Sequence, residues 1–167
     1  SDLADPCDLC VARKIAAACG IEMTQPKRGF SFKAWIGTAM HEKIERNLPG
    51  DQYQAQQEIT VEIAEIPGLG IIKGHVELYL PQHRAMTDWK TINLKDLPEI
   101  QAMGAKASHA GQTMLYMYGL RKKGLDCDHA TLAYIPRDSH SVRDTWVASC
   151  AYREDIAVGL LNRTRAL

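Results

Sequence analysis

No run of apolar residues in this chain approaches the roughly 20 that a membrane-spanning helix needs. Nothing in it has the charged, apolar, small-residue order of a secretory signal. The formal net charge is +0, from 20 basic and 20 acidic residues, so no global basic field marks a coat protein for nucleic acid. The five cysteines are odd in number and lie in a chain without an export pattern, which argues against a disulfide framework. Internal repeats, low-complexity tracts and linkers are missing too. These absences leave an intracellular, cytoplasmic protein with no membrane partner as the expectation. Its 167 residues, 46% of them apolar, suffice for one domain with a hydrophobic core.

The periodicity predicts an α/β order. Leu9, Ala12, Ile15, Ala16 and Cys19 fall at helical spacing, predicting a helix over 8–19 that stops at Gly20. Residues 24–31 read as a loop. A second helix is predicted over 33–47, with Trp35, Ile36, Ala39, Met40, Ile44 and Leu48 as its apolar stripe and Pro49-Gly50-Asp51 after it. The period then falls to two. Strands are predicted over 58–63, 70–80 and 85–91, joined by short turns as an antiparallel meander. Residues 94–100 read as a polar connection and 100–123 as one long helix ending at Gly124. Strands over 130–135 and 146–151 and a closing helix over 153–167 complete the chain. Lys27-Arg28 and Arg121-Lys122-Lys123 are local basic clusters whose ordinary reading is a solvated loop.

Three residues stand out chemically. Asp88 and Lys90 are two apart on a predicted strand, so they share a face. Glu77 lies one strand earlier and can face them across the ladder. A surface ion pair would explain all three. The neighbours count against that: Ile71, Ile72, Val76, Leu78 and Leu80 surround Glu77, and Met86 and Trp89 flank Asp88. Apolar strands of this kind belong inside a sheet, where an unpaired acid is costly. A divalent cation makes clustered acids tolerable, because Mg²⁺ takes oxygen ligands from one or two carboxylates and substrate phosphates. His41 adds a third donor. It is four residues from both Gly37 and Glu45, on one helix face. Gln112 and Tyr116 form another pair four apart.

These pieces, in this order, resemble the PD-(D/E)XK nuclease superfamily in its RecB-like exonuclease branch. The matching segments are Gly37-x3-His41-x3-Glu45, Gly74-His75-Val76-Glu77, Asp88-Trp89-Lys90-Thr91 and Gln112-x3-Tyr116, spanning 37–116. The resemblance implies a restriction-endonuclease-like core with a central mixed β-sheet of about five strands flanked by helices. It divides the single domain 1–167 into a cysteine-containing helix and loop (1–32), a nuclease core (33–151) and a closing helix (152–167). It implies Mg²⁺- or Mn²⁺-dependent hydrolysis of DNA, with one or two ions, in recombination, repair or phage DNA processing. The expected setting is a bacterial or phage-infected cell, as a homo-oligomer or beside recombination or repair proteins.

The resemblance assigns roles by position. His41, Glu77, Asp88 and the Trp89 backbone carbonyl become metal ligands, and Lys90 positions or activates the attacking water. Gln112 and Tyr116 contact DNA, while Glu45 and Glu58 brace the ligands from behind. The family usually has Asp where this chain has Glu77, whose extra methylene reaches the site from a more withdrawn backbone. Cys7, Cys10 and Cys19 supply three thiols for zinc or an iron–sulfur cluster if a fourth ligand comes from elsewhere. Some RecB-like nucleases carry such a cluster on one cysteine before the core and three after it. Here three precede the core, and Cys127 and Cys150 lie apart after it. Cys19 also reads as a buried helical thiol. The alternatives to an exonuclease are a structure-selective or nicking endonuclease, a non-catalytic nucleic-acid-binding module on the same fold, and a structural α/β protein with cysteine-bound zinc.

Overall fold

The computed structural model describes residues 32–47, 55–66 and 70–166, with the isolated positions 12 and 16. Ala12 and Ala16 are helical and half-buried, as the first predicted helix requires. The rest of that helix, the loop at 24–31 with Lys27-Arg28, and the turns at 48–54 and 67–69 lie outside the described residues.

Helix α1 (Phe32–Asn47) leads into strands β1 (Gln56–Ile66), β2 (Gly70–Leu80) and β3 (Ala85–Ile92). Two helices follow, α2 (Leu97–Met103) and α3 (Ala107–Lys122), then strands β4 (His129–Pro136) and β5 (Trp146–Ala151) and helix α4 (Glu154–Ala166). The sheet order is β1-β2-β3-β4-β5. β1, β2 and β3 pair antiparallel, β3 pairs parallel with β4, and β4 pairs antiparallel with β5. This is the mixed five-stranded sheet flanked by helices that was expected. The parallel pair forces a crossover, since the chain must return to the same end of the sheet before β4 begins. Residues 93–128 supply it.

The crossover differs from the single helix predicted over 100–123. Gly104 adopts φ 83, a left-handed conformation that suits glycine. Its amide donates to the Ile100 carbonyl at 2.9 Å and closes α2 there. The supposed polar connection at 94–100 contains the first half of α2, because Leu97 and Ile100 are buried against Ile92, Leu132 and Tyr134. The stripe predicted for α1 also differs in part. Ile36, Met40 and Ile44 are half-buried, whereas Ala39 is exposed.

The main core lies under α3. Met114, Leu115, Met117 and Leu120 pack on Val61 and Ile63 of β1 and on Ala157 and Leu161 of α4. Each large side chain buried this way contributes about 1.5–3 kcal/mol. The basic cluster at the end of α3 is engaged with protein. Lys122 Nζ donates to the Ile63 carbonyl and Lys123 Nζ to the Thr60 carbonyl, both at 3.1 Å, while Arg121 pairs with Asp128 at 2.9 Å. The lysines thus cover carbonyls of an edge strand, a common protection against pairing with another chain. Among the described residues no helix is long and apolar enough to cross a membrane.

Candidate active site

The site forms where β2 and β3 part. Their ladder holds only Leu78↔Thr87, Tyr79↔Met86 and Leu80↔Ala85. Beyond Leu78 the β3 backbone has no β2 partner, and a buried amide without an acceptor is costly. Glu77 resolves this with its side chain, whose Oε2 accepts from the Trp89 amide at 2.6 Å. The same bond pins the Glu77 carboxylate between the strands. Glu58 stands opposite Glu77, between the paired positions Gln57↔Leu78 and Ile59↔Val76. Its backbone is left-handed, φ 53, a strained state for a side chain of this size.

Helix α1 brings the imidazole. A Cβ on Gly37 would lie 2.8 Å from Thr91 Oγ1, so the missing side chain is what lets this turn approach β3. One turn later His41 Nδ1 sits 3.0 Å from Glu77 Oε1. That hydrogen bond, with the Glu77 and Asp88 charges, raises the His41 pKa above 6.5 against the opposing effects of burial and Lys90.

Asp88 is 2% exposed. Lys90 Nζ lies 2.7 Å from its Oδ2 and is the charged partner of that buried oxygen. Burial pushes the Asp88 pKa up, Lys90 pulls it back, and the Glu77 charge adds to the rise. Lys90 also donates to Gln112 Oε1 at 2.6 Å, and Gln112 Nε2 donates to the Tyr116 hydroxyl at 3.0 Å. The Tyr116 ring lies over Gly74, where a Cβ would come within 2.5 Å of it.

These groups border one open cavity of about 330 Å³. Its walls include His41 from α1, Glu58 from β1, Glu77 from β2, Asp88 and Lys90 from β3, and Gln112 and Tyr116 from α3. The side-chain positions named for the site from the motifs are therefore together. The exceptions are the Glu45 side chain and Cys7, Cys10 and Cys19, which lie outside the described residues. Thr38, Glu42 and His75 also line the cavity and were not singled out. For His75 the signal was available: it is two residues before Glu77 on the same strand, and alternation puts the two on one face. Cys127 and Cys150 are free thiols, one buried and one half-buried.

Two carboxylates facing one cavity are donors of the kind that Mg²⁺ and Mn²⁺ accept, and the imidazole beside them suits a transition-metal ion. The buried Asp88 carboxylate fits the same requirement. Among the described residues no three such side chains converge closely enough to enclose an ion. The reason is visible in the contacts: His41 is bonded to Glu77, and Lys90 covers Asp88. Protein cations and N–H groups balance the acids in this arrangement.

No family model and no curated protein matches the chain. Solved structures do match. A phage-related exonuclease from Haemophilus somnus 129PT is 14% identical with a TM-score of 0.67, over 98% of this chain and 81% of that one. The LHK-Exo structure in complex with dAMP is 13% identical with a TM-score of 0.63, over 99% and 80%. LHK-Exo is an alkaline exonuclease from Laribacter hongkongensis. SSO0001 is 19% identical with a TM-score of 0.63, over 98% and 72%. The chain has the fold of these proteins. At such identities the likeness is one of fold alone.

Proposed function

We propose that this protein is a Mg²⁺- or Mn²⁺-dependent deoxyribonuclease that hydrolyses DNA phosphodiester bonds as an exonuclease. The observation that carries the reading is Asp88: a carboxylate that is 2% exposed opens onto a cavity shared with Glu77, His41 and Lys90. A structural ion pair does not call for a second carboxylate and an imidazole on the same cavity, and a cation site uses them. The fold shared with a phage-related exonuclease and with LHK-Exo, which binds dAMP, supports a nucleic-acid substrate.

In this reading Asp88, Glu77 and His41 hold the ion, with the Trp89 carbonyl beside them. A bound divalent cation supplies Lewis-acid polarisation of the phosphoryl group and a more acidic water. Lys90 orients the attacking water and offsets charge that develops on the phosphate. Gln112 keeps Lys90 in place through its amide oxygen. Glu58 braces the ligands from outside. Glu77, one methylene longer than the usual Asp, reaches the cavity and still serves the Trp89 amide.

The test is incubation of linear duplex and closed circular DNA with Mg²⁺, with Mn²⁺ and with EDTA. Loss of linear DNA alone, only with metal, is the expected result. Nicking of circles would replace the exonuclease by an endonuclease. No cleavage of either substrate by pure folded protein would overturn the reading.

A further inference from the structure

The chain leaving β4 is stitched to the end of β3. The Arg137 amide donates to the Ile92 carbonyl at 3.0 Å, one step past the last paired residues, Ile92 and Pro136. The Leu94 amide donates to Asp138 Oδ1 at 2.6 Å. Between these bonds a relay of side chains sets the Arg137 guanidinium. Asp96 Oδ2 accepts from Asn93 Nδ2 at 3.0 Å, and this bond holds the Asp96 carboxyl below its usual range. An ionised carboxylate only accepts, so the Asn93 nitrogen faces Asp96 and the Asn93 oxygen is left for Arg137. Arg137 Nη2 donates to that oxygen at 2.9 Å. Asn93 is neutral, and both nearby acids are occupied, Asp96 by Asn93 and Asp138 by the Leu94 amide. Among the described residues no carboxylate comes within ion-pair distance of Arg137, although its side chain is half-buried. A guanidinium carries five N–H donors in a rigid fork that matches paired phosphate oxygens. Here the fork is held on one side and its charge has no counterion.

The place of this cation points to its ligand. β3 and β4 both end here, and open α/β sheets bind ligands at the carboxyl ends of parallel strands. Lys90 is three residues before Asn93, roughly 10 Å of extended chain. A DNA strand advances about 3.4 Å per nucleotide along a duplex, so that reach covers about three nucleotides. We infer that Arg137, aimed by Asn93 and Asp96, is a binding residue that clamps a backbone phosphate of the DNA a few nucleotides from the bond being cleaved. The inference rests on the nuclease reading for the identity of the polyanion. The contact positions the duplex and reads no sequence. Asn93 is the positioning residue: its oxygen holds the fork without neutralising it, as a carboxylate there would.

The experiment measures binding of a labelled linear duplex by fluorescence anisotropy with Mg²⁺, in the full chain carrying Lys90→Ala to prevent cutting, over a range of salt. Adding Arg137→Gln should weaken binding about tenfold and lower the slope of log K against log salt by about one, with Tm nearly unchanged. Arg137→Lys keeps the charge and loses the fork, so it should keep the slope and still bind about threefold more weakly. Asn93→Leu, which releases the fork, should behave like Arg137→Lys. A purely structural role for Arg137 would lower Tm and leave the slope as it was. Natural slope and affinity in folded Arg137→Gln would overturn the inference while leaving the nuclease reading standing. If the Gln variant does not fold, Arg137→Lys binding as tightly as the natural residue would overturn it. The same duplex with phosphorylated or hydroxyl ends separates the two sources of phosphate: a defect confined to phosphorylated ends would overturn the backbone assignment. Failure of the natural protein to cleave with any metal would overturn the nuclease reading instead.

Discussion

Replacing Asp88 by Asn should make the metal-free protein more stable. The change is nearly isosteric at a residue 2% exposed, so packing is preserved. What it removes is a buried charge. Desolvating such a group costs on the order of several kcal/mol. The Lys90 ion pair returns part of this, and the Asn carbonyl can still face Lys90. The raised pKa of Asp88 says that burial outweighs that pairing. A net gain of about 1 kcal/mol is expected in EDTA at pH 8, or roughly 2–4 °C in Tm for a chain of this size. The pH dependence follows from the direction of the shift. Above the raised folded pKa the natural carboxylate is ionised in both states and its full penalty is present. As pH falls through the folded value toward 3.8, the folded state takes up a proton first and the penalty disappears. The gap between the proteins should therefore close in acid. With Mg²⁺ in about hundredfold excess over its Kd, the order should reverse, because binding stabilises only the natural protein, by about 2.7 kcal/mol. Urea titrations across pH, with EDTA and with Mg²⁺, measure all of this. An Asn variant less stable in EDTA at pH 8, with a gap that does not close in acid, would refute the reasoning.

Gly74→Ala places a Cβ 2.5 Å from the Tyr116 ring and 3.2 Å from Ile63 Cδ1, so it should cost about 1–3 kcal/mol by urea denaturation and slow cleavage by displacing Tyr116. His41→Asn should cost on the order of 1 kcal/mol in EDTA below pH 6.5; because the folded pKa is raised, the difference should fade as pH rises through that raised value, which denaturation across pH would show. Lys90→Ala should lower the cleavage rate at least about 10²-fold while calorimetry still detects metal binding.

The elements with uniform local patterns were legible in the sequence. β2 and β5 begin and end where alternation and turn residues put them, and α1 differs by one residue at its start. His41, Glu77, Asp88, Lys90, Gln112 and Tyr116, which line one cavity, were legible as candidates because each sits in a short motif on a regular element. Three features were not. The break at Gly104 falls inside the span predicted as one helix, and the burial of Leu97 and Ile100 shows two helices. The parting of β2 from β3 depends on pairing over distance, so the use of Glu77 as acceptor for the Trp89 amide has no local signature. The left-handed backbone of Glu58 likewise has no local signature, since glutamate has no preference for it. The internal balancing of the acids, His41 on Glu77 and Lys90 on Asp88, is a matter of ångströms that motif spacing does not carry.

The claim on which the rest depends is that His41, Glu77 and Asp88 hold one divalent cation. Crystals of the protein soaked in Mn²⁺ and measured for anomalous scattering test it directly. The account predicts a peak in the cavity in contact with all three side chains, with Lys90 displaced from Asp88 and still on Gln112. A cavity without a peak at saturating Mn²⁺, with His41 still bonded to Glu77 and Lys90 still covering Asp88, would contradict it.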